Sequence, residues 1–223
     1  MHLLEYSSMV YIMATIPKSW RKFVRSHAHL VDDIVRILDD IPSMYPPKEC
    51  IFEIMHRIKP KDIRVCIVGQ TPYPDDNAGG IPFMSAKNRN TKSLENIRKE
   101  LVREYPYLNI PGNINALVDS WVNQGVFMVN MSMTTGDGKD PFMNDHSVMW
   151  EEFIRELMTW ITRRRRVPVI LMGSVAWTLE VPGGDLVIRV PHPVARDGSF
   201  VGCDMFYKCN MALDEPILWA VEI

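Results

Sequence analysis

Four short runs of apolar, mostly β-branched residues recur along the chain without the polar alternation of a half-exposed strand. Uninterrupted apolar runs of this length are typical of strands that are covered on both faces, as in a parallel sheet. We therefore predict four buried strands. Their expected bounds are residues 64–69, 125–130, 167–172 and 186–190.

Apolar positions elsewhere in the chain follow helical spacing. Between Phe23 and Leu38 the apolar residues recur at helical intervals, which predicts one helix over residues 18–39. A short helix is expected over residues 50–58, and Pro60 prevents it from continuing further. Three more helical patterns separate the predicted strands, at residues 92–105, 114–123 and 147–162.

Strands that alternate with helices predict an α/β fold, and the gaps between the strands are long enough for the crossover connections of a parallel sheet. No internal repeat, low-complexity tract or linker divides the sequence. We expect an N-terminal extension over residues 1–17 and one domain over residues 18–223.

The composition agrees with one globular domain, because 223 residues of which 47% are hydrophobic can bury one sizeable core. The formal net charge of −2 does not point to a nucleic-acid-binding protein. A net charge near zero for the whole chain does not exclude a basic face, since binding to a nucleic acid needs only local contacts to phosphates. Composition and charge therefore leave the function open.

The cysteines lack the C-x-x-C or Cys/His spacing of a metal site. Cys66 lies inside an apolar strand pattern, where a thiol usually packs as a small core side chain. We expect no zinc, no other metal and no cofactor. We predict that all four cysteines are reduced, as is typical of an intracellular compartment: Cys50, Cys66, Cys203 and Cys209.

The stretch before Pro17 is fairly apolar, but Glu5 and several serines interrupt it. No run of eighteen or more apolar residues occurs in the sequence, so we predict no transmembrane helix. The stretch also lacks the basic region and the cleavage site of a secretory signal. We expect an intracellular protein that has no membrane partner.

Four consecutive arginines, Arg163 to Arg166, allow two interpretations. They follow the predicted helix over residues 147–162, and positive charge at a helix C-terminus complements the helix dipole. They could instead bind a nucleic acid or another partner. The first interpretation is favoured, because a strand core follows the arginines at once.

The segment VGQTPYP at residues 68–74 joins the first predicted strand to a loop that contains two aspartates and two glycines. Open α/β sheets place their ligands where strands run into such loops. Three further segments occur at compatible spacings. They are GIPF at residues 80–83, WVNQGVFMVNMSMT at residues 121–134 and HPVAR at residues 192–196.

These segments resemble the signature blocks of the uracil-DNA glycosylase family, in its common form that excises uracil from DNA. There the blocks read GQDPYH, a segment that ends in Phe, WxxQGVxxxN, and a segment that begins with HP. KSLENIRKEL at residues 92–101 is similar to the family's SLxNIxKEL, and Gly173-Ser174 to its Gly-Ser turn. The resemblance extends from about Trp20 to the C-terminus. It implies a three-layer α/β/α fold with a central four-stranded, mainly parallel sheet.

Poxvirus members look nearest within the family. They carry PYP, as residues 72–74 do here, HPAARD, which residues 192–197 nearly repeat, and a tail PIxWA like residues 216–220. This similarity implies a second role as a processivity subunit, which joins DNA to the viral polymerase through a cofactor protein. It also implies that the protein is located in the host cytoplasm and in the virion. Residues 177–182 and Trp219 are the implied docking region, although Trp219 fits the core equally well.

The family's binding and catalytic roles carry over to matching positions. Phe83 would stack on uracil, although alone it fits core packing. Asn130 would read the polar edge of the base, with help from Gln70, and Tyr73 would exclude thymine by crowding the C5 position. His192 would donate a hydrogen bond to uracil O2 as negative charge develops there.

Thr71 departs from the family, which has an Asp at this position of the first block. That Asp orients the attacking water and offsets positive charge on the sugar. Threonine has no charge, and a general base is worth roughly a hundred- to ten-thousand-fold in rate. We therefore expect strongly weakened excision. Asp75 or Asp76 could supply a substitute carboxylate, but both also fit as solvated turn residues.

Arg196 matches the zone from which the family pushes a side chain into the minor groove. An arginine there can fill the gap and contact phosphates or base edges. Ser93 and Ser174 are expected to contact the DNA backbone, although Ser93 fits equally as a helix cap. The implied partner is uracil-containing DNA, single- or double-stranded.

Two hypotheses from different classes follow from these features. The first is a uracil-DNA glycosylase, and the second is a DNA-binding replication scaffold whose excision is weakened or lost. Thr71 favours the scaffold. The retained pocket residues favour the enzyme, because a scaffold does not need a uracil pocket.

Overall fold

The computed structural model describes residues 16–137, 145–182 and 186–220. Within these residues four strands form one sheet, in which all neighbours are parallel and the order is β2-β1-β3-β4. The predicted four-stranded α/β architecture is confirmed. The strands are β1 (Val65–Gly69), β2 (Val126–Asn130), β3 (Val169–Met172) and β4 (Val187–Val190).

Burial differs between the centre and the edge of the sheet. Every residue of β1, β2 and β3 is buried, which explains why the sequences of these strands are almost entirely apolar. In β4, at the edge of the sheet, only Val190 is buried, and Arg189 is exposed. The prediction that both faces of the strand are covered is therefore wrong for β4. This strand has a neighbouring described strand on one side only, and three of its four residues remain at least partly exposed.

Helices connect the strands. Those predicted over residues 92–105, 114–123 and 147–162 are confirmed to within one residue at each end, whereas the helix predicted over residues 50–58 is reduced to a five-residue helix after a 3-10 turn. The last two helices were not predicted. The bounds are α1 (Arg21–Ser26), α2 (Ala28–Asp40), α3 (Glu53–Arg57), α4 (Lys92–Glu104), α5 (Asn115–Asn123), α6 (Ser147–Thr162), α7 (Ser174–Trp177) and α8 (Met205–Asn210), with 3-10 turns at Lys18–Trp20, Lys48–Cys50 and Pro60–Asp62.

The single helix predicted over residues 18–39 is wrong, because the backbone breaks at His27. His27 has φ −131° and ψ 33°, which is outside the helical region. Its ring Nδ1 lies 2.9 Å from the carbonyl oxygen of Phe23, and its Nε2 lies 3.5 Å from a carboxylate oxygen of Glu156. The apolar pattern is interrupted at this break, since five residues separate Val24 from Leu30.

The core joins helices to the sheet through large aromatic side chains. The Trp20 ring centroid lies 5.2 Å from that of Phe127 in β2, and Phe23 meets Phe153 of α6 edge to face at 5.6 Å. Helix α2 packs on α6, α3 on α5 and α4 on α8. None of the four cysteines, all of which are described, forms a disulfide. Among the described helices, none has the length and apolar character that crossing a bilayer requires.

The C-terminal segment packs against α5 and α8. Trp219 is 1% exposed, and its indole N–H donates to the Asn210 side-chain oxygen at 3.0 Å. The indole of Trp121 in turn donates to the Trp219 carbonyl at 2.8 Å. Of the two interpretations left open for Trp219, core packing is therefore the correct one. The ring is not available to a docking partner.

Candidate active site

A cavity of about 310 Å³ opens at the carboxyl edge of the sheet. This volume lies at the lower end of the range for small-molecule sites. Seven of the nine predicted site residues line it, and they come from the ends of β1 and β2, from the loop after β1, from α4 and from the segment after β4. These seven residues are Gln70, Thr71, Tyr73, Phe83, Ser93, Asn130 and His192.

Gly69, the last residue of β1, brings the aromatic and amide groups of the cavity together. A Cβ atom at this position would lie 2.4 Å from Asn130 Oδ1 and 3.0 Å from Phe83 Cζ. Gly69 and Asn130 are also direct neighbours across β1 and β2. The missing side chain therefore allows the Phe83 ring and the Asn130 amide to pack over the same strand end.

The Asn130 side chain has polar groups available to a ligand. Asn130 is 5% exposed, and its side-chain amide makes no hydrogen bond to another of the described residues. Buried polar groups almost always have a hydrogen-bond partner. An amide that lines a cavity without such a partner is suited to bind a group that carries both a donor and an acceptor.

A chain of hydrogen bonds ties the cavity to the start of α4. The Thr91 hydroxyl caps this helix by accepting from the Leu94 backbone N–H at 3.3 Å, and it lies 2.7 Å from the Tyr73 hydroxyl. Tyr73 donates to the Phe83 carbonyl at 3.1 Å. Phe83 has φ 66°, an unusual conformation for an aromatic residue, and this hydrogen bond helps to hold it. Burial, the largest cause, raises the pKa of Tyr73, so the phenol stays neutral.

His192 is held as a neutral donor. The Val194 backbone N–H donates to its Nδ1 at 3.2 Å, so the single proton of the neutral ring lies on Nε2. Burial lowers the pKa of His192, which keeps the ring neutral to lower pH than an exposed histidine. The loop is fixed by Asn96, whose amide donates to the Pro193 carbonyl at 2.7 Å. His192 thus presents an N–H group at the cavity.

No carboxylate lines the cavity within the part of the chain that the structure describes. Thr71 is exposed at its rim. Asp75 accepts from the backbone N–H and the side-chain amide of Asn77, at 2.9 and 2.8 Å, and Asp76 pairs with Arg89 at 3.0 Å. Both aspartates are engaged in the loop outside the cavity, so neither takes the place of the family's catalytic carboxylate in this arrangement.

The predicted DNA contacts lie at different distances from the cavity. Ser93 lines it, but the cap of α4 is Thr91, so the interpretation of Ser93 as the cap is wrong. Ser174 and Arg196 are exposed and do not line the cavity. Ser174 starts α7 directly after Gly173, where a Cβ atom would lie 2.9 Å from His192 Cβ. Gly173 therefore allows the two loops to pack closely.

Several residues that shape the site were not predicted. Gly69 and Thr91 act through close approach and capping, and Met133 lines the cavity beyond the end of β2. A glycine at the end of an apolar run, and a threonine before a helix, are signals that could have identified the first two. The sequence carries no comparable signal for Met133.

The arrangement is suited to a flat, polar, uncharged ligand. An aromatic ring, an unpaired amide and an imidazole N–H converge in one cavity whose lining includes no lysine, arginine, aspartate or glutamate among the described residues. A low-dielectric, uncharged cavity strengthens each hydrogen bond formed in it. A neutral N–H donor in such a site can stabilise negative charge that develops on a bound oxygen.

Comparison with known proteins identifies the family. A family model described as the uracil DNA glycosylase superfamily matches residues 55–213. A uracil-DNA glycosylase of Caenorhabditis elegans is 33% identical over 191 residues, which cover 80% of this chain and 66% of the relative. One from Francisella tularensis subsp. novicida is 34% identical over 181 residues, which cover 77% of this chain and 80% of the relative.

Viral proteins are also similar. A uracil-DNA glycosylase of Saimiriine herpesvirus 2 is 27% identical over 226 residues, which cover 91% of this chain and 88% of the relative. The crystal structure of mimivirus uracil-DNA glycosylase shares the fold, with a TM-score of 0.80, 24% identity and coverage of 94% of this chain and 89% of the other. The chain belongs to the uracil-DNA glycosylase superfamily.

Proposed function

We propose that this protein is a uracil-DNA glycosylase, which hydrolyses the N-glycosidic bond between uracil and deoxyribose in DNA. The observation that carries the proposal is the convergence of the Phe83 ring, the Asn130 amide and the His192 imidazole on one cavity. A base inside a duplex is shielded by its neighbours, so the enzyme must act on an extruded nucleotide or on a single strand. The cavity would hold the extruded base.

Recognition of uracil would rest on three groups. The Phe83 ring would stack on the base, and the Asn130 amide would donate to O4 and accept from N3–H, a pairing that cytosine cannot match. Tyr73 would stand beside C5 and exclude the methyl group of thymine. Gln70, at the exposed rim of the cavity, would add contacts to the base.

Cleavage would depend on charge stabilisation. As the bond breaks, negative charge develops on uracil O2 and positive charge on the sugar. The Nε2–H of neutral His192 would donate to O2, and because the ring is already oriented by Val194, little reorganisation would be needed. Thr71, at the rim, could hold a water by its hydroxyl but could not act as an effective base.

DNA contacts would come from loops around the cavity. Arg196 is exposed four residues after His192, a position from which it could enter the gap that the extruded nucleotide leaves. Ser93 and Ser174 would hydrogen-bond to the DNA backbone on either side. These contacts would position the strand and would not read sequence.

A second candidate function follows from the missing carboxylate. Without an acid at position 71, and with Asp75 and Asp76 bound elsewhere in the loop, the protein could act as a DNA-binding replication scaffold with little or no excision. The scaffold would keep the pocket without using it for turnover.

One excision assay distinguishes the two functions. The full-length protein is incubated with a short single-stranded oligonucleotide that contains one uracil, and abasic sites are counted for wild type and Thr71→Asp. We expect slow excision by wild type, and excision by the variant that is roughly a hundred- to ten-thousand-fold faster. Asn130→Ala in the Thr71→Asp background serves as the pocket control and should lose the activity.

Two outcomes would change the conclusion. Activity in Thr71→Asp beside complete inactivity of wild type would leave a dormant pocket and favour the scaffold. Inactivity of both proteins, when each is folded, would reject the glycosylase proposal.

We also propose the second role of a processivity subunit that joins DNA to a viral polymerase through a cofactor protein. An exposed apolar surface on α7 supports it, since Val175 is 37% and Trp177 40% exposed. Trp177 also donates to the Val190 carbonyl at 3.1 Å, so this surface adjoins β4, the sheet edge that no described strand covers. In a poxvirus this role would place the protein with replicating DNA in the host cytoplasm and in the virion.

A further inference from the structure

A dense group of positive charges lies at the amino edge of the sheet, opposite the cavity. The exposed run Arg163 to Arg166 follows α6 and precedes β3. A second basic segment, residues 18–25, has its buried side chains on one face and Lys18, Arg21, Lys22 and Arg25 exposed on the other. The exposed positions recur at intervals of three and four residues, which places them on one side of the helical segment.

The two segments meet at Trp160. The rings of Trp20 and Phe23, from the first segment, lie 6.1 and 5.7 Å from the Trp160 ring in the last turn of α6. The Arg164 guanidinium stacks over the same Trp160 ring at 4.2 Å. Side chains 140 residues apart in the sequence therefore form one surface, which we name the basic edge and define as Lys18, Arg21, Lys22, Arg25 and Arg163 to Arg166.

Most of the basic edge has no partner within the protein. Arg164 donates to the Trp160 carbonyl at 3.1 Å and so caps α6. Among the described residues, none of the other seven cations forms an ion pair or a side-chain hydrogen bond, although the neighbouring Glu156 lies 3.5 Å from His27. Capping of the helix end therefore accounts for one arginine and leaves the others unexplained.

The chemistry of the basic edge fits the phosphates of DNA better than a protein. Protein interfaces are usually centred on buried apolar or aromatic anchors. No large apolar side chain of residues 18–25 or 163–166 is exposed. Arginine and lysine without apolar neighbours match a regular row of phosphates, which arginine contacts with paired N–H groups.

We propose that the basic edge is a second DNA-binding surface, which holds duplex DNA by its phosphates independently of the base-binding cavity. The cavity lies beyond the carboxyl ends of β1 and β2, whereas the basic edge lies before the amino end of β3. Strands of four or five residues at about 3.3 Å each separate the two edges. The protein can thus hold one DNA segment at each edge.

Binding of undamaged duplex at several salt concentrations tests the proposal. Two variants of the full chain remove three charges each, R163Q/R165Q/R166Q and R21Q/K22Q/R25Q, and both leave Arg164 in place. Counterion release predicts that each weakens binding about a hundredfold at 0.1 M salt and lowers the slope of log K against log salt by roughly 2 to 3. Excision from a short single-stranded oligonucleotide, and uracil binding if excision is absent, should not change.

The control variant R36Q/K48Q/R155Q removes the same number of charges elsewhere. These three side chains form surface ion pairs with Asp33, Asp39 and Glu152 at 3.7, 3.1 and 3.7 Å. Because net charge changes equally in all three variants, a loss confined to the first two would locate the binding surface. The melting temperature of each protein verifies that it is folded.

Two results would overturn the proposal. One is a duplex affinity and salt slope that are the same for the basic-edge variants as for the control. The other is unchanged duplex binding together with a loss of binding to vesicles of phosphatidylcholine and phosphatidylserine, which would assign the surface to a membrane. The duplex readout does not need glycosylase activity, so failure of the proposed reaction would leave this result interpretable.

Discussion

Single side chains around Gly69 determine the shape of the cavity. Asn130 and Phe83 both occupy the space where a Cβ atom of residue 69 would be, and Tyr73 holds the Phe83 backbone from the other side. None of these contacts involves a charge. The specificity of the cavity therefore depends on position and hydrogen bonding, which a displacement of a fraction of an ångström can damage.

Gly69→Ala should both distort the cavity and lower the stability of the fold. The added Cβ would lie 2.4 Å from Asn130 Oδ1, so the amide must move. We expect a loss of about 1 to 3 kcal/mol in stability from overpacking, measured by urea unfolding. Uracil excision in the Thr71→Asp background should fall by at least about tenfold, since about 1.4 kcal/mol of lost interaction is enough for that change. Gly112→Ala is the control, because no atom lies within 4 Å of its added Cβ and neither property should change.

Helix α4 connects the cavity to the C-terminal part of the chain. Its first turn is capped by Thr91, which contacts Tyr73, and its C-terminal half carries the fully buried Glu100. Arg103 donates to both Glu100 oxygens at 3.0 and 2.9 Å, and the backbone N–H groups of Gly202 and Asp204 donate at 2.6 and 2.7 Å. Glu100 thereby fixes the loop that precedes α8.

Glu100→Gln should destabilise the protein in a pH-dependent way. Burial alone would raise the pKa of Glu100, but the hydrogen bonds from Arg103, Gly202 and Asp204 outweigh it and lower the pKa to about 2. A carboxyl whose pKa is lower in the folded state stabilises above its unfolded pKa and loses this effect as pH falls through the folded pKa. We expect a deficit of about 2 to 3 kcal/mol at neutral pH, which shrinks between about pH 4.5 and pH 2.

Urea unfolding of wild type and variant across this pH range measures the effect. Glu95→Gln on the same helix is the control, because Glu95 is exposed and its one ion pair among the described residues is with Lys92, 3.8 Å away. A deficit that stays constant down to the lowest pH would contradict the assigned role of the Glu100 charge.

The parallel sheet gives the molecule two edges with different surfaces. The uncharged cavity occupies the carboxyl edge, and the basic edge occupies the amino edge. A third surface, the apolar one formed by Val175 and Trp177, adjoins β4. A protein with these three surfaces could hold DNA, inspect an extruded base and bind a partner at the same time.

The proposed processivity role predicts that Trp177→Ala reduces binding of a polymerase cofactor protein, because the substitution removes the largest exposed ring of the α7 surface. Co-purification of the cofactor with tagged protein measures the effect. Tyr107→Ala removes a side chain that is 97% exposed on another part of the molecule and serves as the control. Equal recovery of the cofactor with both variants would contradict docking at α7. Since Trp177 also donates to Leu171 and Val190, the melting temperature must be compared as well.

Local patterns in the sequence were sufficient for three of the buried strands and for the three helices between them, whereas the candidate cavity residues came from the resemblance to the family's signature blocks. Strands β1, β2 and β3 are covered on both faces, so apolar residues follow one another in their sequences without polar alternation. Gln70, Asn130 and His192 lie at or just after strand ends, and the carboxyl ends of neighbouring parallel strands meet at one edge of the sheet. The resemblance to the family's blocks is what identified Phe83, Asn130 and His192 without coordinates, and the parallel sheet explains why their segments meet.

Packing between distant segments decided the structural features that the sequence patterns did not predict. His27, where the helix breaks, lies beside Glu156. Trp219 is buried against Trp121 and Asn210, and the two segments of the basic edge meet where Trp20 packs on Trp160. The engagement of Asp75 and Asp76 outside the cavity likewise depends on loop contacts. A linear pattern records which residues favour burial, but it does not record which distant residue covers them, because that choice is made by the three-dimensional packing of the whole chain.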